Sequence, residues 1–261
     1  MAAGRGQHGS HGHRNGAHRE GPRPCGEQPV FEIPHGSAST PSPGNDEFQG
    51  REIRGSGLDP VRPALRRVAS FYDQRKVGET GALGFRRSTN LATLSVCVEK
   101  LAAEDLLVPG VSRFLDLGCA DGRVNVLLSY LTALSAGIEI DAWTLEEYGP
   151  LRGDLDRDLE SRGLPLPPDN IFLFNGDAAA PWTHSGMAGE TGSRLEDFDL
   201  FYTYLVMYEE FAAMLRRHAR VGALFLIYGL GRILPRLEGF TLIDDLSPME
   251  GILAVYRKTS G

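Results

Sequence analysis

Apolar positions recur along this chain at two different spacings, and the changes of spacing mark where elements begin and end. Leu91, Leu94, Val98 and Leu101, continued by Leu106, fall on one face of a helix, with Ser88-Thr89-Asn90 ahead of them as an N-cap cluster and Pro109-Gly110 behind as a stop. Short apolar runs follow at Arg113 to Leu117, Ala136 to Ile140, Ile171 to Phe174, Phe198 to Leu205, Ala223 to Tyr228, Phe240 to Ile243 and Ile252 to Tyr256. Helical stretches fit between most of them, among them Arg123 to Leu134, Ala142 to Glu160 and Glu209 to His218. Near-continuous apolar strands separated by helices predict an α/β fold: a doubly wound, mostly parallel seven-stranded sheet covered on both faces. Only residues 244–251 join the last two runs, too few for a helical crossover, so the chain should end in an antiparallel hairpin strand.

Residues 1–57 have no such periodicity. They are crowded with Gly, Pro, Ser, His and Arg, and such a segment cannot bury enough surface to offset its ordering entropy, so a disordered N-terminal tail is expected. Five of the seven histidines lie here (His8, His11, His13, His18, His35), a tract that binds metal weakly at best. Three segments are therefore expected: the tail 1–57, a basic cap or lid 58–90, and a core 91–261. The stretch His184 to Ser193 reads as a loop or a mobile flap.

The charge of −7 argues against a nucleic-acid partner held by bulk electrostatics. The longest apolar stretch, Val221 to Leu230, is too short to span a membrane. Cys25, Cys97 and Cys119 include no C-x-x-C spacing, so neither a disulfide framework nor a thiolate metal site is expected, and a reducing, cytoplasmic setting fits best. Two local patterns mislead. Gly4-Arg5-Gly6-Gln7-His8-Gly9 has dinucleotide-motif spacing but no strand before it, and Asp154-x-Asp156-x-Asp158 opens like a calcium loop but has Leu159 and Pro165 where glycine and glutamate are required.

The chemistry gathers at strand ends. The first core strand runs into Asp116-Leu117-Gly118-Cys119-Ala120-Asp121-Gly122, a turn of small residues that lets backbone approach a ligand at the carboxyl edge of an open sheet. The next strand ends at Glu139-Ile140-Asp141 and the third at Asn175-Gly176-Asp177-Ala178. Three carboxylates on successive strand tips make a poor phosphate cradle and suit a ligand with ribose, adenine and a cationic centre.

These residues resemble the class I, seven-stranded S-adenosylmethionine-dependent methyltransferases. Asp116-x-Gly118-x-Ala120-x-Gly122 is similar to the family's glycine-rich first motif with alanine at the middle glycine; Glu139 matches the acidic residue that holds the ribose hydroxyls, and Asp177 the one near the adenine amine. Phe198 to Tyr204 resembles the fourth motif, beside the transferred methyl, and Val221-Gly222-Ala223 the turn before strand five. The resemblance covers residues 88–258. It implies S-adenosylmethionine as cofactor, held by Asp116, Gly118, Cys119, Ala120, Asp121, Gly122, Glu139, Ile140, Asp177 and Ala178, with no metal. It implies a methyltransferase acting on a small-molecule or protein side-chain acceptor.

Methyl transfer from a sulfonium is an in-line displacement, so alignment and exclusion of water matter most and a base is optional. Tyr202, Thr203 and Tyr204 are the candidate catalytic residues, with Tyr208, Glu209 and His184 the next polar groups. The Asn/Asp-Pro-Pro-Tyr/Phe signature of amino-group methylators of nucleic-acid bases is absent after strand four, which also argues against a nucleic-acid acceptor. In 58–90, Arg62, Arg66, Arg67, Arg75, Lys76, Arg86 and Arg87 outnumber Asp59, Asp73 and Glu79. Beside Phe71, Tyr72 and Phe85 they could clamp an anionic acceptor. The alternative is a non-catalytic member that uses the fold as a binding module; aminopropyl transfer has only Glu209 and Glu210 behind it.

Overall fold

A central strand buried on both sides organises the molecule. The computed structural model describes residues 58–75, 77–81, 84–86, 88–230, 234–246 and 253–261; the expected tail lies outside them. In chain order the elements are α1 (Arg62–Asp73), β1 (Val77–Gly81), β2 (Gly84–Arg86), α2 (Leu91–Ala103), β3 (Arg113–Leu117), α3 (Arg123–Ser129), β4 (Leu134–Glu139), α4 (Ala142–Glu146) and α5 (Tyr148–Ser161). Then follow β5 (Ile171–Asn175), α6 (Pro181–Thr191), β6 (Leu200–Tyr204), α7 (Tyr208–His218), β7 (Leu224–Tyr228), β8 (Phe240–Leu242) and β9 (Leu253–Lys258). Strands β1 and β2 form a separate antiparallel pair.

The seven core strands lie in the order β5-β4-β3-β6-β7-β9-β8. The first five are parallel, and β9 inserts antiparallel between β7 and β8. The doubly wound sheet and its antiparallel end are thus as the periodicity and connection lengths required. Strand alternation divides the core in two. On one face Phe114, Leu200, Tyr202, Leu224, Leu226, Tyr228, Leu253 and Val255 pack under α1, α2, α3 and α5. On the other, Leu115, Leu117, Ile138, Phe201, Phe225, Ile227 and Tyr256 pack against α6 and α7.

Three elements differ from the sequence reading. Helix α3 stops at Ser129, where the Ser129 and Thr132 hydroxyls donate to the Val126 and Leu128 carbonyls, and Leu134 is drawn into β4 opposite Arg113. The stretch expected as one helix from Ala142 to Glu160 is two, because Pro150 in the first turn of α5 has no N–H to carry the helix across the junction. Residues 184–193, expected as a loop or flap, mostly form α6, which starts on Pro181, ends on left-handed Gly192 and buries Thr183 and Met187 on one face. The acidic run 154–158 lies on α5, with Asp154, Asp156 and Asp158 paired to Arg157, Arg152 and Arg67, a charged helix face.

Helix α1 buries Ala64, Leu65, Val68, Ala69 and Tyr72 in the same core cluster as α2. Two of its arginines and one just beyond it turn to carboxylates of the following segment: Arg62 to Glu99, Arg67 to both oxygens of Asp158, and Arg75 to Glu147 (2.6 Å), while Arg66 points to solvent. Phe71 meets Tyr72 edge-on at 5.2 Å, and Tyr72 is fully buried. Arg62, Arg67 and Arg75 are thus engaged within the fold, and of the described basic candidates Arg66 alone is exposed without such a carboxylate partner among the described residues. Lys76, Phe85, Arg86 and Arg87 lie among side chains outside the described set.

Candidate cofactor and acceptor site

The turn after β3 is shaped by three residues of positive φ, Gly118 (+102°), Ala120 and Gly122. Gly122 (φ +72°) caps α3, and a Cβ there would meet Leu173 and Tyr148 at 2.8 Å, so only glycine fits. Ala120, where the resemblance has glycine, takes φ +50°. Its N–H is held by Oε2 of Glu139 at 2.9 Å, while Oε1 of the same carboxylate accepts from Asp141 N at 2.9 Å. The Gly118 and Cys119 amides donate to the Ile138 carbonyl, tying the turn to β4.

Asp116 is 1% exposed, and its Oδ1 has no hydrogen-bond partner among the described residues. Burial, with Glu139 and Asp121 nearby, holds its carboxyl well above the usual carboxylate range. A buried, unsatisfied acceptor is costly unless a ligand donates to it. A cavity opens at this point, walled by Asp116, Gly118, Ala120, Thr89, Tyr202 and Tyr204, with the buried Cys119 and Arg123 also on it. Burial and the surrounding carboxylates push the Cys119 thiol well up, so it stays a packed thiol.

The remaining predicted binding residues divide. Glu139 adjoins the cavity through Ala120. Ile140 stands just beyond β4 and is 71% exposed, an apolar face turned to solvent. Asp177, after β5, is half-buried and accepts from Ala179 N at 2.8 Å; Ala178 is buried, and its carbonyl accepts from His184 Nε2 at 2.8 Å. Burial lowers the His184 pKa. These residues line the same carboxyl edge as the cavity, two strands along. Asp121 is the exception: its carboxylate is turned inward and gripped by Arg123, which also donates to the Tyr72 carbonyl and lies over the Tyr72 ring.

Of the candidate catalytic residues, Tyr202 and Tyr204 reach the cavity and Thr203 does not. Alternation along β6 sends Thr203 to the opposite face, where its hydroxyl donates to the Leu117 carbonyl at 2.9 Å. The Tyr202 hydroxyl is buried against that of Thr89, and burial raises its pKa well above normal. Tyr204 is half-buried, with the Tyr228 ring tilted against it by 37° at 5.5 Å between ring centres. Tyr208 donates to its neighbour Glu209 at 3.3 Å on the surface. Thr89 and Arg123 also line the cavity, and neither is singled out for it by the sequence pattern: Thr89 stands in a capping cluster, and nothing local marks Arg123, whose partner Tyr72 is 51 positions away.

No family model and no curated protein matches the chain. Solved structures do. An RNA methyltransferase from Salinibacter ruber, in complex with S-adenosyl-L-homocysteine, is 17% identical, with 64% of this chain and 91% of that one covered and a TM-score of 0.38. A putative methyltransferase from Escherichia coli is 16% identical (72% and 98% covered, TM-score 0.43), and an rRNA methylase from Streptococcus thermophilus 13% (67% and 98%, TM-score 0.39). The fold assignment stands on the chain's own strand order. A seven-stranded sheet in the order β5-β4-β3-β6-β7-β9-β8, with β9 alone reversed, is the class I methyltransferase fold that the resemblance implied.

Proposed function

We propose that this protein is an S-adenosylmethionine-dependent methyltransferase acting on a small-molecule or protein side-chain acceptor. The observation that carries the reading is Asp116, whose buried Oδ1 has no donor among the described residues, in the wall of a cavity bordered by the glycine turn. A ligand's ammonium group would satisfy it, as the amino-acid end of this cofactor would. The residues fit the rest of the molecule. Gly118, Cys119, Ala120 and Gly122, whose amides are already donated within the fold, would give it close approach to a turn of small residues, and Glu139, which accepts one bond on each oxygen from the described residues, would accept from two ribose hydroxyls. Ile140 offers an apolar face to the base and Asp177 an acceptor for its amine, with Ala178 beside it.

When bound, the cofactor supplies an electrophilic methyl on a cationic sulfonium. The chain's own part is alignment: Tyr202 and Tyr204 wall the end of the cavity where an acceptor would approach, shed water and present ring faces to positive charge. Tyr204 is the residue placed to touch the acceptor. Tyr202, engaged with Thr89, and Thr203, on the other face, act as supports. In this role Asp121 helps to shape the turn through Arg123 and does not touch the cofactor.

The second reading is a non-catalytic binding module, and the engagement of the Tyr202 hydroxyl favours it. Calorimetric titration with S-adenosylmethionine and S-adenosylhomocysteine decides between the outcomes. Micromolar binding weakened by Glu139→Ala and Asp177→Ala is expected; no binding by a folded wild-type chain would remove the enzyme reading. Binding without methyl transfer to any amine, hydroxyl or carboxylate acceptor would favour the module.

A further inference from the structure

The carboxyl edge of the sheet carries more exposed apolar surface than the cofactor accounts for. Trp143, on α4 after β4, is 81% exposed, and Trp182, on α6 after β5, is 73% exposed. They are the chain's only tryptophans. Single exposed aliphatics are ordinary on a protein surface, but large aromatic rings left in water at one edge mark a contact surface. After β6 the turn Leu205-Val206-Met207 is also exposed, and it is strained: Leu205 and Met207 have φ of +20° and +51° with no glycine present. The turn is held open by Leu205 N donating to the Tyr228 carbonyl and by the Thr203 hydroxyl reaching the Val206 carbonyl at 3.3 Å. Strain thus maintains apolar side chains in solvent beside the cavity mouth.

The charge at this edge is negative. Glu146, Asp177, Glu209 and Glu210 flank the apolar groups, and among the described residues the guanidinium groups packed here, Arg75 and Arg123, are both paired. Among the described residues a phosphodiester backbone would meet mainly these carboxylates, whereas a basic segment is attracted to them. From β5 to β6 the edge crosses three strand intervals, about 14 Å, wider than one small acceptor and matching a few residues of extended peptide.

We propose that this edge docks a basic protein segment carrying apolar side chains, with the acceptor side chain entering beside Tyr204. The inference rests on the methyltransferase reading and deepens it by naming the acceptor class.

Because both tryptophans lie on the proposed surface, intrinsic fluorescence of the full chain reports on it directly. The probes are a synthetic peptide of alternating leucine and lysine, its leucine–glutamate counterpart, and a single-stranded RNA oligonucleotide. The leucine–lysine peptide should shift the emission to the blue and shield it from acrylamide, and the other two should not. Glu146→Lys combined with Glu210→Lys should weaken that peptide by about tenfold or more while leaving S-adenosylhomocysteine affinity, read by calorimetry, unchanged. Shielding by the RNA, shielding by neither, or peptide binding that leaves the tryptophans exposed to acrylamide would overturn the proposal, even with cofactor affinity intact. Absent cofactor binding with peptide shielding retained would instead remove the methyltransferase reading.

Discussion

Glu139 and Ala120 are joined by a hydrogen bond of 2.9 Å between carboxylate and backbone N–H, and the pairing explains how alanine occupies a glycine position. A left-handed alanine costs about 1–2 kcal/mol relative to a right-handed one. Here the carboxylate fixes that conformation from the neighbouring strand while its other oxygen accepts from Asp141 N.

Ala120→Gly should therefore relieve strain and raise stability by up to about 1 kcal/mol, the unfolded chain's added freedom offsetting part of the gain. Ala120→Val, β-branched at φ +50°, should lower it by about 2 kcal/mol. Urea unfolding of both variants checks the pair; equal stability would mean that the turn relaxes to a right-handed form.

Arg123 and Asp121 form a fully buried ion pair with contacts of 2.9 and 2.8 Å, and the guanidinium also lies 5.4 Å from the Tyr72 ring centre. Arg123→Met strands a buried carboxylate and should cost about 3–5 kcal/mol, whereas Arg123→Met with Asp121→Asn should recover much of the loss. Denaturant melts of the two singles and the double close the cycle. If the pair matters to cofactor binding only through the turn, the double variant should bind S-adenosylhomocysteine nearly as the wild type does.

What the sequence disclosed followed from burial. Arg113 to Leu117 read as a strand with its observed bounds because a central parallel strand, covered on both faces, has no reason to alternate. The carboxylates at 116, 139 and 177 were visible because each stands at the end of such a run. Helix α6 was not visible: it contains Gly186 and Gly189 and buries only Thr183 and Met187, so its helical signal is two residues four positions apart. The inward turn of Asp121 was hidden for a different reason. Its partner is next door, but what buries the pair is Tyr72 from a helix that the sequence placed in a separate cap.

Gly137 lies in β4, where a Cβ would come within 2.7 Å of both Asn125 Oδ1 and Cys119 Cβ. Both neighbours are fixed, Asn125 by its bond to the Ala136 carbonyl (2.7 Å) and Cys119 by the turn. Gly137→Ala should cost about 1–3 kcal/mol and weaken cofactor affinity by displacing Cys119. Gly186→Ala, in α6 with open space around it, should instead stabilise by about 0.5–1 kcal/mol. Thermal unfolding with and without S-adenosylhomocysteine separates the two effects.

Asp116 sets a pH dependence whose sign can be worked out. Its folded-state pKa is raised well above the ordinary aspartate range, by burial first and then by Glu139 and Asp121. Between the unfolded value and the folded one, the folded chain holds the extra proton, so stability falls as pH rises through this window and the penalty is complete above the folded pKa. Asp116→Asn removes the ionisable group. The variant should match the wild type most nearly near pH 4 and exceed it by roughly 1–3 kcal/mol on the alkaline side. Its affinity for S-adenosylmethionine should fall by about tenfold or more, since an amide cannot pair with an ammonium group as a carboxylate does. Stability curves from acid to mild alkali, with calorimetric titration at the alkaline end, test both arms. A variant no more stable than the wild type at every pH would show that the Asp116 charge is already compensated in the free protein.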